Sequence, residues 1–138
     1  MISLPLVYTI LALVAYTTSF WYLFLKLMAK RDPNHWFIGV ILGLGLLLHA
    51  TVLYHDMLTP MGVNYDVFVL MSFTSGLMLL LSLLYSTYRP ILALNLIGIP
   101  VAATGLILGF AFSQSTQFIE QRSLGLDIHI ILSLSAYA

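Results

Sequence analysis

The chain has 138 residues, 61% of them hydrophobic and 7% charged, with five basic and five acidic side chains and a mean hydropathy of +1.03. A soluble domain carries about 25% charged residues, so these few charges cannot cover a globule of this size; a soluble enzyme, a disordered chain and a nucleic-acid binder with a basic surface are excluded. There is no cysteine, which excludes disulfides, thiolate metal sites and a CxxC redox pair within these residues.

The first apolar run, residues 4–25, carries no charge and closes with Lys26, Lys30 and Arg31. About 20 apolar residues cross roughly 30 Å of hydrocarbon, so this run predicts a membrane span. Its positive charges follow the apolar stretch and no A-x-A cleavage site is present, which marks a retained helix rather than a signal peptide. Further spans are predicted over 36–53, 67–85 and 91–112. A fifth run, 128–138, rises only about 16 Å, roughly half a bilayer, so the chain is expected to continue past Ala138. The predicted fold is all-α: a polytopic transmembrane helix bundle forming one domain over 1–138, with four full spans and the start of a fifth.

Loop charges predict its direction. Lys26, Lys30, Arg31 and Arg89 lie in the first and third loops, while the second and fourth, 54–66 and 113–127, hold Arg122 against Asp56, Asp66, Glu120 and Asp127. Lysine and arginine mark the cytoplasmic side, so the N-terminus is expected outside. Gly98, Ala102, Gly105 and Gly109 form a small-residue stripe in the fourth span, Ser72, Ser75, Ser82 and Ser86 line the third, and the second carries Gly39-x-x-x-Gly43 and Gly45. Such stripes read as close helix contacts. Pro100 lacks an N–H and is expected to bend its helix.

Ionisable groups at membrane depth mark functional candidates. His49 lies four residues before the predicted end of span two, about 6 Å in, and His129 opens span five. Two histidines on different helices therefore fall at similar depth toward the same face. Neutral imidazole ligates haem iron, zinc or copper, and Tyr8, Tyr54, Tyr65 and Phe68 lie near that boundary to pack on a flat macrocycle. The competing reading is that each histidine hydrogen-bonds a neighbouring helix, or that His129 sits at the interface beside Asp127. His35 and His55 read as interfacial, the tyrosines with Trp21 and Trp36 as aromatic belts, and Asp56 and Asp66 as loop or cap residues. The sequence has no G-x-S-x-G, H-E-x-x-H or phosphate-binding loop. The first four spans contain no carboxylate, which argues against a proton relay.

Several segments resemble the cytochrome c assembly membrane protein family (CcsA/HemX-like): "LALVAYTTSFWYL", "LGLLLHATVLY", "GVNYDVFVLMSFTSGLMLLLSLLYSTYRPILALNLIGIP" and "LDIHIILSLSAYA". The last is similar to the L-H-x-x-x-S-x-x-A-Y element of that group, and the likeness is greatest to its YpjD branch of inner-membrane proteins. The resemblance implies that these residues are the front half of an eight-span protein. It also implies haem b handling, rather than catalysis, on the outer face of the bacterial cytoplasmic membrane. The partners implied are apocytochrome c or other biogenesis membrane proteins. It assigns His129 as an axial iron ligand, whereas His49 matches a histidine of the YpjD branch in position only. The tryptophan-rich loop W-G-x-x-W-x-W-D of the synthetase members is not among these residues, whose only tryptophans are Trp21 and Trp36. The competing reading is a non-catalytic membrane scaffold without haem, and a weaker one is half of a transporter.

Overall fold

The computed structural model describes residues 3–59, 62–88, 92–113 and 124–137. These form five helices: α1 (Leu4–Met28), α2 (His35–Met57), α3 (Val67–Ser86), α4 (Leu92–Phe112) and α5 (Leu124–Tyr137). Between α2 and α3, strands β1 (Leu58–Thr59) and β2 (Gly62–Val63) pair antiparallel in a ladder of two residues each. Helices α1 to α4 are long and apolar enough to cross a membrane, so the fold is that of a multi-pass membrane protein. Arg89, Glu120, Arg122 and Ala138 lie outside the described residues, as does the side chain of Asp127.

The helices follow the apolar runs closely, with three extensions. Helix α1 continues past Leu25 to Met28, because Lys26 can keep its stem in the apolar layer and its ammonium at the edge. Helix α2 runs one turn beyond the predicted span, taking in Tyr54, His55 and Asp56 of the expected second loop. Those residues are polar but not helix-breaking, and α2 stops only at the extended Leu58. Helix α5 begins at Leu124 rather than after Asp127 and is 14 residues long, about 21 Å.

The first four helices pack in a ring, each against its neighbours in sequence, with α4 closing back on α1. Contact across the α2–α4 diagonal is slight, and α5 leans on α3. Short turns between antiparallel neighbours produce this up-and-down order. Helix α2 is capped by Asn34, whose Oδ1 accepts from the N–H groups of Trp36 (3.1 Å) and Phe37 (3.3 Å). Asp66 likewise caps α3 by accepting from Phe68 N–H at 2.8 Å, as its cap reading requires.

Polarity is distributed as hydrocarbon demands. Leu11, Val14, Leu44, Leu47, Leu81 and Ile97 are exposed, while His49, Asn64, Ser72, Ser82 and Asn95 are buried. In water that arrangement would waste the hydrophobic effect; in a bilayer it places these polar groups where protein can satisfy them, Ser19 Oγ alone being buried without a partner among the described residues. Ser82 Oγ donates to Asn95 Oδ1 and Asn95 Nδ2 donates to Ser86 Oγ, both at 2.7 Å, tying the α3–α4 pair near its connecting turn. Near the other end of the pair, Asn64 Oδ1 accepts from Asp66 N–H at 3.0 Å.

The α3–α4 contact is the most extensive, and small residues make it so. Gly109 lies against Ser72 and the Phe68 carbonyl, Gly105 against Ser75 and the Met71 carbonyl, and Gly98 against Leu79. A Cβ at Gly109 would sit 2.8 Å from Ser72 Cβ, and one at Gly105 would sit 2.8 Å from Ser75 Cβ. Gly45 plays the same part between α2 and α1, where a Cβ would meet the Tyr16 ring at 2.9 Å. Gly39 and Gly43 differ: nothing within 4 Å would meet a Cβ at either, so this G-x-x-x-G is not a contact inside the bundle. Helix α4 continues through Pro100, with Thr104 Oγ1 donating to the Pro100 carbonyl at 2.8 Å. Replacing Gly105 or Gly109 by valine is expected to cost about 1–3 kcal/mol of stability by overpacking. Gly39→Ala should cost nothing. Thermal unfolding of the purified variants in detergent checks this, and equal losses at all three positions would show that the seam does not set the packing.

Candidate functional site

His49 is the one histidine held in the interior, and three helices converge on it. It lies 1% exposed on α2, between Tyr16 of α1 at 0% and Ser72 of α3 at 2%. Its Nδ1 is 3.0 Å from the Tyr16 hydroxyl and its Nε2 is 2.9 Å from Ser72 Oγ. A neutral imidazole has one donor and one acceptor nitrogen, so either tautomer uses both. The Tyr16 and His49 rings meet edge to face, with centroids 6.1 Å apart. Two glycines make the room: Gly45 receives the Tyr16 ring, and Gly76 receives the His49 ring, whose Cε1 would lie 3.2 Å from a Cβ there. Ser75 extends the chain by donating from Oγ to the Ser72 carbonyl at 3.0 Å.

With α2 reaching Met57, His49 lies eight residues from the helix end, about 12 Å in, deeper than the roughly 6 Å read from sequence. His129 stands five residues into α5, about 8 Å from its start, and is exposed. Among the described residues it makes no hydrogen bond or ion pair. The structure does not bring the two histidines together. His49 is enclosed by α1, α2 and α3, whereas α5 packs on α3 and carries His129 on an exposed side. To ligate a metal, His49 would have to surrender Tyr16 or Ser72; His129 would surrender nothing described.

The remaining candidates are dispersed. His35 is exposed at the start of α2, and His55 is exposed in its last turn, edge-on to Tyr54 at 6.1 Å. Phe68 pairs with Phe112 at 5.4 Å, and Tyr8 packs against the core. Asp56 is half-buried in the last turn of α2. Among the described residues no three His, Asp or Glu side chains are placed to hold one metal ion. Two apolar grooves flank α3. One of about 670 Å³ lies among α3, α4 and α5, bordered by Met71, Ser75, Thr104 and Tyr137. The other, about 440 Å³, lies between α2 and α3 over His49, Phe73 and Gly76. His129 borders neither.

Sequence reading missed Tyr16, assigning the tyrosines to interfacial belts. Its position was the available signal: Tyr16 lies twelve residues into α1, about 18 Å, too deep for a headgroup contact. Asn95, buried beside Ser82, was missed as well.

No known family model, curated protein or solved structure matches the chain. A polar chain crossing three helices is expected to couple them: in a double-mutant cycle of Tyr16→Phe and His49→Phe, the interaction energy should be about 0.6 kcal/mol, with about 1.7 kcal/mol as the upper end for bonds of this kind in membranes. Unfolding free energies of the four proteins in mixed micelles measure it. Strict additivity would mean that the pair does not hold α1 to α2.

Proposed function

We propose that the protein is an integral membrane protein of cytochrome c assembly that binds haem b through His129. In this reading it presents the haem on the outer face of the bacterial cytoplasmic membrane to apocytochrome c or another biogenesis membrane protein. The observation that carries the reading is the state of His129: an exposed imidazole, without a described partner, near the start of an apolar helix. It lies in the segment whose resemblance to the family is the most specific. Haem iron needs a neutral imidazole with an open nitrogen. A ligand about 8 Å from the helix start would let the propionates reach the polar boundary while the macrocycle stays in hydrocarbon.

His49 takes a different part. Both its nitrogens are committed within the bundle, so we assign it to holding α1, α2 and α3 in register rather than to iron. That same commitment favours the second reading, a membrane scaffold without haem, because it leaves a single free imidazole among the candidates.

A reduced-minus-oxidised spectrum of the full-length protein, purified from its own membranes in cells supplied with haem, separates the two. Haem binding predicts b-type absorption that His129→Ala abolishes and that a folded His49→Gln variant retains. Absence of that absorption in the unmodified protein would leave the scaffold reading. The proposed direction is tested separately, since the chain has no cysteine of its own. An impermeant maleimide added to intact cells should label Ser3→Cys, and Thr87→Cys only after lysis; the reverse pattern would invert the topology.

A further inference from the structure

The turn between α1 and α2 gathers positive charge that no ion pair among the described residues answers. Helix α1 ends with Lys30 in the left-handed region at φ 50°. Lys30 N–H donates to the Leu27 carbonyl (3.1 Å) and Arg31 N–H to the Lys26 carbonyl (3.0 Å). That pair of bonds is the Schellman closure of a helix, and it brings the Arg31 backbone back to that of Lys26. The Lys26 ammonium stands 5.6 Å from the centroid of the Tyr22 ring. The Tyr22 hydroxyl accepts from Asn34 N–H at 3.2 Å, and its ring packs on Phe37 at 5.0 Å. Tyr22 thus fixes Lys26 beside the first turn of α2, which contains no acidic residue and carries the positive end of a helix dipole.

Lys26, Lys30 and Arg31 are opposed here only by Asp32, and among the described residues none of the four is in an ion pair. Next to the cations the surface turns apolar at once: Trp21, Leu25, Met28 and Trp36 are all exposed. A soluble anion would meet only the charged part of this surface. A molecule with a phosphate head and hydrocarbon tails matches both parts. We infer that this turn seats the headgroup of an anionic phospholipid, with its phosphate between Lys26 and Arg31 and its acyl chains along Leu25 and Trp21. Lys30 and the start of α2 add to the attraction, and Asp32 opposes it.

Each cation near an anionic lipid surface strengthens binding about fivefold. Native mass spectrometry of the full chain, in micelles containing equal amounts of phosphatidylglycerol and phosphatidylcholine, reads the preference directly. Phosphatidylglycerol should be retained in excess. The variant Lys26→Gln/Arg31→Gln should lose retention by at least about tenfold without changing that of phosphatidylcholine, and Asp32→Asn should gain about fivefold. Equal retention of the two lipids by the unmodified protein would overturn the inference. So would full retention of phosphatidylglycerol by the double variant, or its displacement by millimolar inorganic phosphate, which would indicate a site for soluble anions. Helical circular dichroism shows whether the double variant folds; if it does not, Asp32→Asn decides, and no gain there overturns the inference.

Discussion

Hydrocarbon offers no hydrogen bonds, and that single constraint governs this bundle. A polar side chain inside it must find a protein partner, because an unpaired one costs several kcal/mol in a medium that cannot compensate. The Tyr16–His49–Ser72 chain is the response that joins three helices. Three groups that would each be a liability alone become a connected set across α1, α2 and α3. The geometry needed for 2.9 and 3.0 Å bonds then restricts how those helices slide and rotate. Apolar contacts could not impose this, since lipid tails compete with leucine on equal terms. The Ser82–Asn95–Ser86 cluster does the same for α3 and α4 near their connecting turn.

Polar bonds set the register only because backbones can come close enough to make them. Gly105 and Gly109 bring α4 onto the serine face of α3, and Gly45 and Gly76 open the spaces that Tyr16 and His49 fill. Small residues and buried polar groups are therefore parts of one device. Ser72 shows this plainly: its Cβ packs against Gly109 while its Oγ bonds His49. Ser75 does likewise, packing against Gly105 and donating to the Ser72 carbonyl. One row of α3 thus faces α4 for packing and α2 for hydrogen bonding.

Much of this was legible in the residues. The spans follow from runs of uncharged residues, and the contact face of α4 was written as a four-member stripe of glycine and alanine. What the sequence could not show is which stripe finds a partner. Gly39-x-x-x-Gly43 has the same spacing as a contact motif yet meets nothing within 4 Å, because spacing describes one helix and contact requires two. The same limit applied to His49. Its depth suggested a functional group, but whether its nitrogens were free depended on Tyr16 and Ser72, which lie 33 and 23 residues away in the chain. Helix ends were hardest at α2, where Tyr54, His55 and Asp56 look like a loop by polarity but still propagate the helix.

The two candidate histidines illustrate how a membrane bundle can use one residue type in opposite ways. An imidazole in hydrocarbon is tolerated when both nitrogens are bonded, and such a group is then unavailable to a ligand without breaking the lattice that positions it. An imidazole left open must sit where exposure costs little, near the boundary or beside a cofactor that covers it. His49 meets the first condition. His129, five residues into α5, is exposed and has no partner among the described residues. Depth alone treats the pair as equivalent, whereas hydrogen-bond accounting separates them: one nitrogen pair is bonded within the bundle, and the other has no partner among the described residues.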